Sequence, residues 1–579
     1  MRWAELLPPL LLAVFAWVYY AAYYRVGFLV ADEGSVALLA QRLVAGERPF
    51  TDLVLGYNVL WFYPIAGLFQ VFGVDFLVMK RFFFALAGAT GLLAYAGVRG
   101  LTGSRVIAVV VALGVLVIPG STYKTYIPLL VVSNLLLMAW MLQRGKRIGW
   151  LAAGGALLGL TFLIRIDFGV LLAAPWLLTA VALPWVRGGR GWRVWGGSLA
   201  GLTALGLAAV AIHVPVLGVA SAQGWDAGFR DQYRTHWRMV TQPLARTLGK
   251  PFRASRKRTK ARVKVIREPE AGGVSRREEP GTTLQRAPVR RIVEAKQLGH
   301  RIYALLTYAP WITGLGLAVG GGLAALWQGW RRRDVGPWAA MSMAAAGCMT
   351  AFPQFYFFRP DVPHLAEFMP GFLVAAGLAV PWLFRAARSG SVGRVERVCA
   401  AGLCSLVALH AAVYLWWAPA VSSAGTIAER NQKLEFFRGE NGVEVWVPPR
   451  ERERNETVLA LIHQHAPPGA PVVCYPYLPG FNVLSNRPTY ERSLYVDDLT
   501  AGRGWPAEAI RRMEEHRPPV VIVSDWAVNR TEQSRFRNWA REVKAHLAGA
   551  YDLVDSPDGI EVWVRKPAPA PPPGPAAGT

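Results

Sequence analysis

Two adjacent carboxylates, Asp32 and Glu33, stand where a hydrophobic run ends. That run, from about Leu6 to Val30, is long enough for a spanning helix, which needs roughly 20 apolar residues. The pair is therefore expected where a membrane helix meets water. A carboxylate so placed can take a proton from a reacting group. It can also serve only the fold. Apolar Val36, Leu39, Ala40 and Leu43 recur at helical spacing, so Asp32 could cap a short helix from Gly34 to Ala45, with Glu33 favouring its N-terminal dipole. A second set lies in FPQFYFFRPDVPHLAEFMP at 352–370, which offers Arg359, Asp361, His364 and Glu367 within nine residues. Pro353, Pro360, Pro363 and Pro370 stiffen that loop. A stiff loop presenting cation, carboxylate and imidazole together suits a ligand better than bulk water, because polar groups held near a membrane are expensive and tend to be used. Arg165 and Asp167 occupy a turn of almost no length between two apolar runs. They either snorkel to the interface or neutralise each other. Lys124 follows PGSTY, with Tyr123 and Tyr126 as interface anchors.

The elements that must position these groups are mostly membrane helices. The chain has 579 residues, 53% of them hydrophobic, 23 of them Trp, and only 17% charged. Long apolar runs on this scale describe a polytopic membrane protein with a soluble part, not a single soluble domain. After a short aromatic run at 59–74, interrupted by Pro64, further runs fall at about 81–98, 105–118, 127–143, 148–164, 168–186, 195–220, 303–328, 336–352, 370–384 and 397–418. The first run is longer than a signal-peptide core and is expected to be retained. Cysteines at 348, 399, 404 and 474 form no disulfide framework.

Charge sets the expected orientation. The connectors 99–105, 144–147, 187–193, 331–334 and 385–397 hold fifteen Lys/Arg and two acids between them. Short basic loops stay cytoplasmic. They alternate correctly if 59–74 lies half-embedded, which gives about 11 spanning helices in a domain over 1–420, the N-terminus inside and the C-terminus outside. The acidic loop 31–58, the turns at 119–124 and 164–167, the segment 221–302 and the loop 352–370 then share the outer face. Residues 251–300 carry 14 Lys/Arg against 5 Asp/Glu and read as a solvated basic loop. Net charge is +25, but without interleaved aromatics this is no nucleic-acid arm; basic loops of a membrane protein meet anionic lipid. From 421 to 566 the pattern changes to helices at 455–465, 506–516 and 533–547 and strands at 471–477 and 518–525, closing in a hairpin with an Asp-Gly turn. This predicts a small extracytoplasmic α/β domain. The Pro/Ala-rich tail 567–579 has the composition of a disordered segment.

A first helix ending in Asp32-Glu33, a short helix, Gly46-Glu47-Arg48-Pro49-Phe50-Thr51-Asp52 and the aromatic stretch from Tyr57 to Val74 together resemble the GT-C superfamily of integral membrane glycosyltransferases. The nearest branch is that of the protein O-mannosyltransferases, the aminoarabinose transferases and the bacterial lipopolysaccharide-sugar transferases like them. The resemblance is specific over the first ~130 residues and topological beyond. It implies a polyprenyl-phosphate sugar donor, a reaction on the outer face of the bacterial inner membrane, and a glycan, lipid or protein acceptor. It also implies a carboxylate base in the first loop, Asp32 by position with Glu33 as rival, and substrate positioning by Asp52, Tyr57 and Asp361. The acidic pair that metal-dependent oligosaccharyltransferases carry in their second outer loop is missing between 119 and 167. Lys124 stands there, so no cofactor is expected and a divalent metal is not supported.

The residue set suits that chemistry. A sugar on a lipid phosphate already has a good leaving group, so one base suffices where glycosidases need two carboxylates. Asp32 or Glu33 would take the acceptor proton, and Arg359, His364, Lys124 and Arg165 would hold the departing phosphate. Attack opposite the phosphate inverts the anomeric centre. A transporter or flippase of lipid-linked sugars would show inverted repeats and helices broken at the midplane; the sequence shows neither. A non-catalytic scaffold of the same fold is the third reading.

Overall fold

The apolar runs fold as helices, with ends set by local chemistry. The computed structural model describes residues 3–118, 122–145, 148–188, 191–234, 237, 300–330, 335–350, 362–388, 394–421, 433–498, 500–502, 504–527 and 532–567. Thirteen helices in this set make up the apolar part. They are α1 (Trp3–Ala21), α2 (Asp32–Val44), α3 (Val59–Phe72), α4 (Phe76–Thr102), α5 (Arg105–Val117), α6 (Tyr126–Gln143), α7 (Trp150–Ile164), α8 (Ile166–Val186), α9 (Trp192–Ala222), α10 (His300–Trp330), α11 (Gly336–Met349), α12 (Val362–Arg388) and α13 (Arg394–Val421). The Asp75 carboxylate accepts from Leu77 N at 2.7 Å to start α4, and Gly103 ends that helix at φ 75. Among the described residues six helices are long and apolar enough to cross a membrane: Phe76–Thr102, Thr122–Gln143, Ile166–Val186, Trp192–Ala222, Pro310–Trp330 and Glu367–Phe384. The chain is an integral membrane protein by that measure.

Helix α6 lies at the centre, buried over most of its surface and packed by α4, α8, α11 and α12. Its buried Asn134 is fully engaged. The side chain donates to Thr161 Oγ1 at 3.2 Å and accepts from Trp176 Nε1 at 2.7 Å, which ties α6, α7 and α8 together. The bundle has two chemically distinct ends. At one end Glu5 pairs with Arg99 and Arg105, and Arg144 donates to Gly100 O. The loops after α1 and α2 and the C-terminal region gather at the other.

The C-terminal region carries a four-stranded sheet. With β1 (Glu435–Arg438) and β2 (Glu444–Val447) forming a separate hairpin, the sheet runs β3 (Val472–Tyr475), β4 (Val520–Ser524), β6 (Ile560–Arg565), β5 (Tyr551–Asp555). The β3–β4 pair is parallel and the other two pairs are antiparallel. Side chains alternate between faces. On one face Val473, Tyr475, Val521 and Val523 meet Ala509, Met513, Phe536 and Leu547. On the other, Val472, Val520, Ile522 and Val562 pack with Val458, Ile462 and Phe481 in a cluster continuous with the bundle interior. The helix expected over 533–547 breaks at Ala540 (φ −111, ψ 39) into Phe536–Trp539 and Arg541–Ala550. The β1–β2 hairpin was not anticipated, although Asn441-Gly442 marks it: both residues adopt positive φ, 52 and 66. It joins the membrane part edge-on, with Gly27 N donating to Trp446 O at 2.9 Å and Trp446 N to Arg25 O at 2.6 Å.

Candidate active site

Neither acidic residue at the start of α2 caps the helix. The first turn contains both, the N-cap position is Ala31, and no side chain bonds the free amides there. Successive residues of a helix diverge by about 100°, and the two carboxylates go to different neighbours. Glu33 is 3% exposed. It accepts from Leu29 N at 3.0 Å and lies 3.7 Å from Lys80 Nζ. Lys80 also donates to Val26 O and Gly27 O. Burial pushes the Glu33 carboxyl above its usual range, and Lys80 opposes that. Glu451, from helix α14 (Pro449–His465), lies within electrostatic range of both. These groups splice the chain after α1 to α4 and to the C-terminal region.

Asp32 is half-buried and faces elsewhere. Its Oδ1 accepts from the Tyr477 hydroxyl at 3.1 Å. Its other oxygen accepts no hydrogen bond among the described residues. Lys124, Tyr57 and Tyr123 all lie within electrostatic range of it.

The cations come from the N-terminal ends of neighbouring helices. Lys124 precedes α6, is 5% exposed, and pairs with Glu367 of α12 at 3.0 Å. Arg165 links α7 to α8 with extended backbone. At 7% exposure it does not snorkel. Asp167 takes Nε at 2.9 Å and Nη2 at 3.0 Å, so the two residues do neutralise each other in part. The third nitrogen, Nη1, is buried with no hydrogen-bond partner among the described residues. The guanidinium lies 5.1 Å from the Tyr57 and Phe168 ring centres and 5.9 Å from that of Trp61, with Tyr57 stacked on Trp61 at 4.1 Å. A buried cation over aromatic faces is held without hydrogen bonds from them, and Nη1 stays unused among the described residues.

Tyr57 is fixed by backbone contacts. Gln232 donates to Leu55 O at 3.1 Å and to Tyr57 O at 2.9 Å. Asn58 caps α3 and donates to Phe162 O at 2.9 Å. His213 is a packed histidine, its ring nitrogens 2.8 Å from Ala209 O and the Tyr233 hydroxyl.

Asp32, Tyr57, Lys124 and Arg165 thus converge. Asp52 does not join them. It closes its own loop on Arg48, accepting from the backbone N at 2.8 Å and from Nε at 3.1 Å. Arg359 and Asp361 and the side chain of His364 lie outside the described residues, as does most of the segment 221–302. Sequence reading assigns no site role to three members. Glu367 and Asp167 were visible as acids beside candidate cations. Tyr477 had no local signal at all. No group of three or more His, Cys, Asp or Glu among the described residues is placed to hold a metal ion.

No protein-family model and no curated protein matches the sequence. Among solved structures the chain is similar to ArnT from Cupriavidus metallidurans in the apo state, at 14% identity and TM-score 0.48 over 97% of each chain. It is similar to the same protein bound to undecaprenyl phosphate, at 13% identity and TM-score 0.48 over 97% of this chain and 98% of that one. The Archaeoglobus fulgidus oligosaccharyltransferase gives 11% identity and TM-score 0.45, over 98% of this chain and 75% of that one. Likeness at this level carries no residue role from one chain to another.

Proposed function

We propose that this chain is a membrane glycosyltransferase that moves a sugar from a polyprenyl-phosphate donor to an acceptor hydroxyl. One observation carries the reading: a carboxylate with an open oxygen, Asp32, shares a cluster with two buried cations, one of which keeps an unused donor at Arg165 Nη1. A base and an anion seat side by side are what this transfer needs. Lys124 and Arg165 hold the donor phosphate, aided by the positive ends of α6 and α8, beside which they stand. The sequence carries Arg359, Asp361 and His364 on the segment just before Glu367, and Arg359 and His364 are proposed as further phosphate ligands. Tyr57 forms an aromatic wall against Arg165. The acceptor oxygen attacks the anomeric carbon from the side opposite the phosphate while Asp32 takes its proton. The bond from carbon to phosphate oxygen breaks, its electron pair leaves with the lipid phosphate, and the anomeric centre inverts. The cluster lies at the end of the bundle away from Arg99, Arg105 and Arg144, which supports an outward-facing site under the positive-inside rule.

The test uses the detergent-purified full chain with undecaprenyl phosphates carrying single hexoses, hexuronic acids or pentoses, and a cell-envelope fraction as acceptor. Release of undecaprenyl phosphate with sugar appearing on the acceptor is expected for at least one donor, and is lost in Asp32→Asn. Movement of intact lipid-linked sugar across a reconstituted vesicle, without bond cleavage, would make the protein a transporter.

A further inference from the structure

We infer that Tyr477, from the C-terminal region, positions the Asp32 carboxylate for the transfer, so that the reaction centre is completed by both parts of the chain. This rests on the reading of Asp32 as the base. The Tyr477 hydroxyl gives Asp32 its one side-chain hydrogen bond among the described residues, 3.1 Å long, across 445 positions of sequence. It occupies Oδ1 and leaves the other oxygen without a hydrogen bond among the described residues, with Lys124, Tyr57 and Tyr123 within electrostatic range of the carboxylate. Tyr477 does not compete for the proton. Burial and the neighbouring Asp32 keep its phenol well above the ordinary range, so it stays a donor.

The backbone around Tyr477 is held against the backbone around Asp32. Gly480 N donates to Val30 O at 2.8 Å. A Cβ on Gly480 would stand 2.6 Å from Val30 Cα, and a Cβ on Gly34 only 2.4 Å from Gly480 Cα. Two glycines thus allow main chain to lie on main chain, with Tyr477 three residues before one contact and Asp32 two residues before the other. The Tyr477 ring is steadied edge-on by Tyr495 at 4.9 Å. The Tyr495 hydroxyl in turn donates to Asp497 at 2.5 Å. Ser35, one turn along α2, is the second polar neighbour of the Tyr477 hydroxyl. A base held through a neighbour in this way loses orientation, not affinity for donor, when that neighbour is removed.

The experiment compares Tyr477→Phe with Arg492→Ala in the full-length protein. Phenylalanine keeps the ring and removes only the hydroxyl. Arg492 donates to Phe50 O at 3.2 Å, so its loss loosens the same docking away from Asp32. Turnover is measured with the donor that reacts in the panel above, and binding of undecaprenyl phosphate by tryptophan fluorescence. Tyr477→Phe is expected to lower kcat by about tenfold to a hundredfold, the worth of one hydrogen bond to a charged group. The donor KM and undecaprenyl phosphate binding should stay unchanged, and Arg492→Ala should remain close to wild type. Wild-type kcat in Tyr477→Phe, or equal losses in both variants, would overturn the inference while leaving Asp32 as base. Full turnover in Asp32→Asn would remove the base assignment itself, and the role of Tyr477 with it.

Discussion

Two clusters of buried charge flank the start of α2, and adjacent residues belong to opposite ones. Around Glu33 the polar groups answer one another: Lys80 bridges the carboxylate and two backbone carbonyls, and Leu29 N completes the set. Around Asp32 they do not. One carboxylate oxygen and one guanidinium nitrogen are left over. Both clusters are costly to bury, so burial does not distinguish a brace from a reaction centre. Unused hydrogen-bonding capacity does, because a buried donor without a partner loses stability that a bound ligand restores. The first cluster fixes chain to chain, and the second keeps the unused capacity that our proposed reaction calls on.

The contrast is broken most directly by neutralising each carboxylate. Asp32→Asn should reduce turnover by ~10²–10⁴-fold, the usual contribution of a positioned base, with donor binding and the thermal transition nearly unchanged. Glu33→Gln should do the reverse. It leaves Lys80 buried without its counter-charge and is expected to cost ~3 kcal/mol of stability, while turnover per folded molecule stays within a few fold. Equal kinetic losses in both would erase the distinction. Arg165→Ala comes next. It should weaken undecaprenyl phosphate binding by ~1.5–3 kcal/mol, measured by fluorescence titration. Arg165→Lys should recover only part, since an ammonium cannot keep Asp167 bidentate and reach a phosphate as well.

The smallest effect sharpens the comparison from the side of the closed cluster. Burial raises the Glu451 carboxyl from 4.5 to about 7, against the pull of Arg454 and Lys80. The folded protein therefore keeps a proton that the unfolded chain has already released. This contribution to stability is complete below pH 4.5 and is lost as pH rises through about 7. Thermal unfolding should fall by a few degrees between pH 5 and pH 8, and Glu451→Gln should flatten the slope, a difference of roughly 1–3 kcal/mol at the upper pH. An unchanged slope would take Glu451 out of the brace.

What the sequence determined by itself is what depends on near neighbours. Apolar period and run length place the helices, since a spanning segment must satisfy its own backbone. Asp75, Gly103 and Asn58 mark ends through bonds made within a few residues. The Asp-Gly turn and the continuous apolar run along Val520–Ser524 give the β5–β6 hairpin and a strand buried on both faces. Four members of the candidate site, Asp32, Tyr57, Lys124 and Arg165, stood out because charge or aromatic groups beside apolar runs are conspicuous. Asn441-Gly442 is a turn signal of the same local kind, for the β1–β2 hairpin. Tertiary structure alone decided how these residues are divided. Asp32 and Glu33 are indistinguishable as sequence neighbours. Their fates differ because a 100° step on a helix meets Lys80 on one side and Tyr477 on the other. Lys124 finds Glu367 across 243 residues only when α6 and α12 pack. Pairings of that span leave no periodic trace, because side chains far apart in the chain are matched by packing geometry and not by spacing.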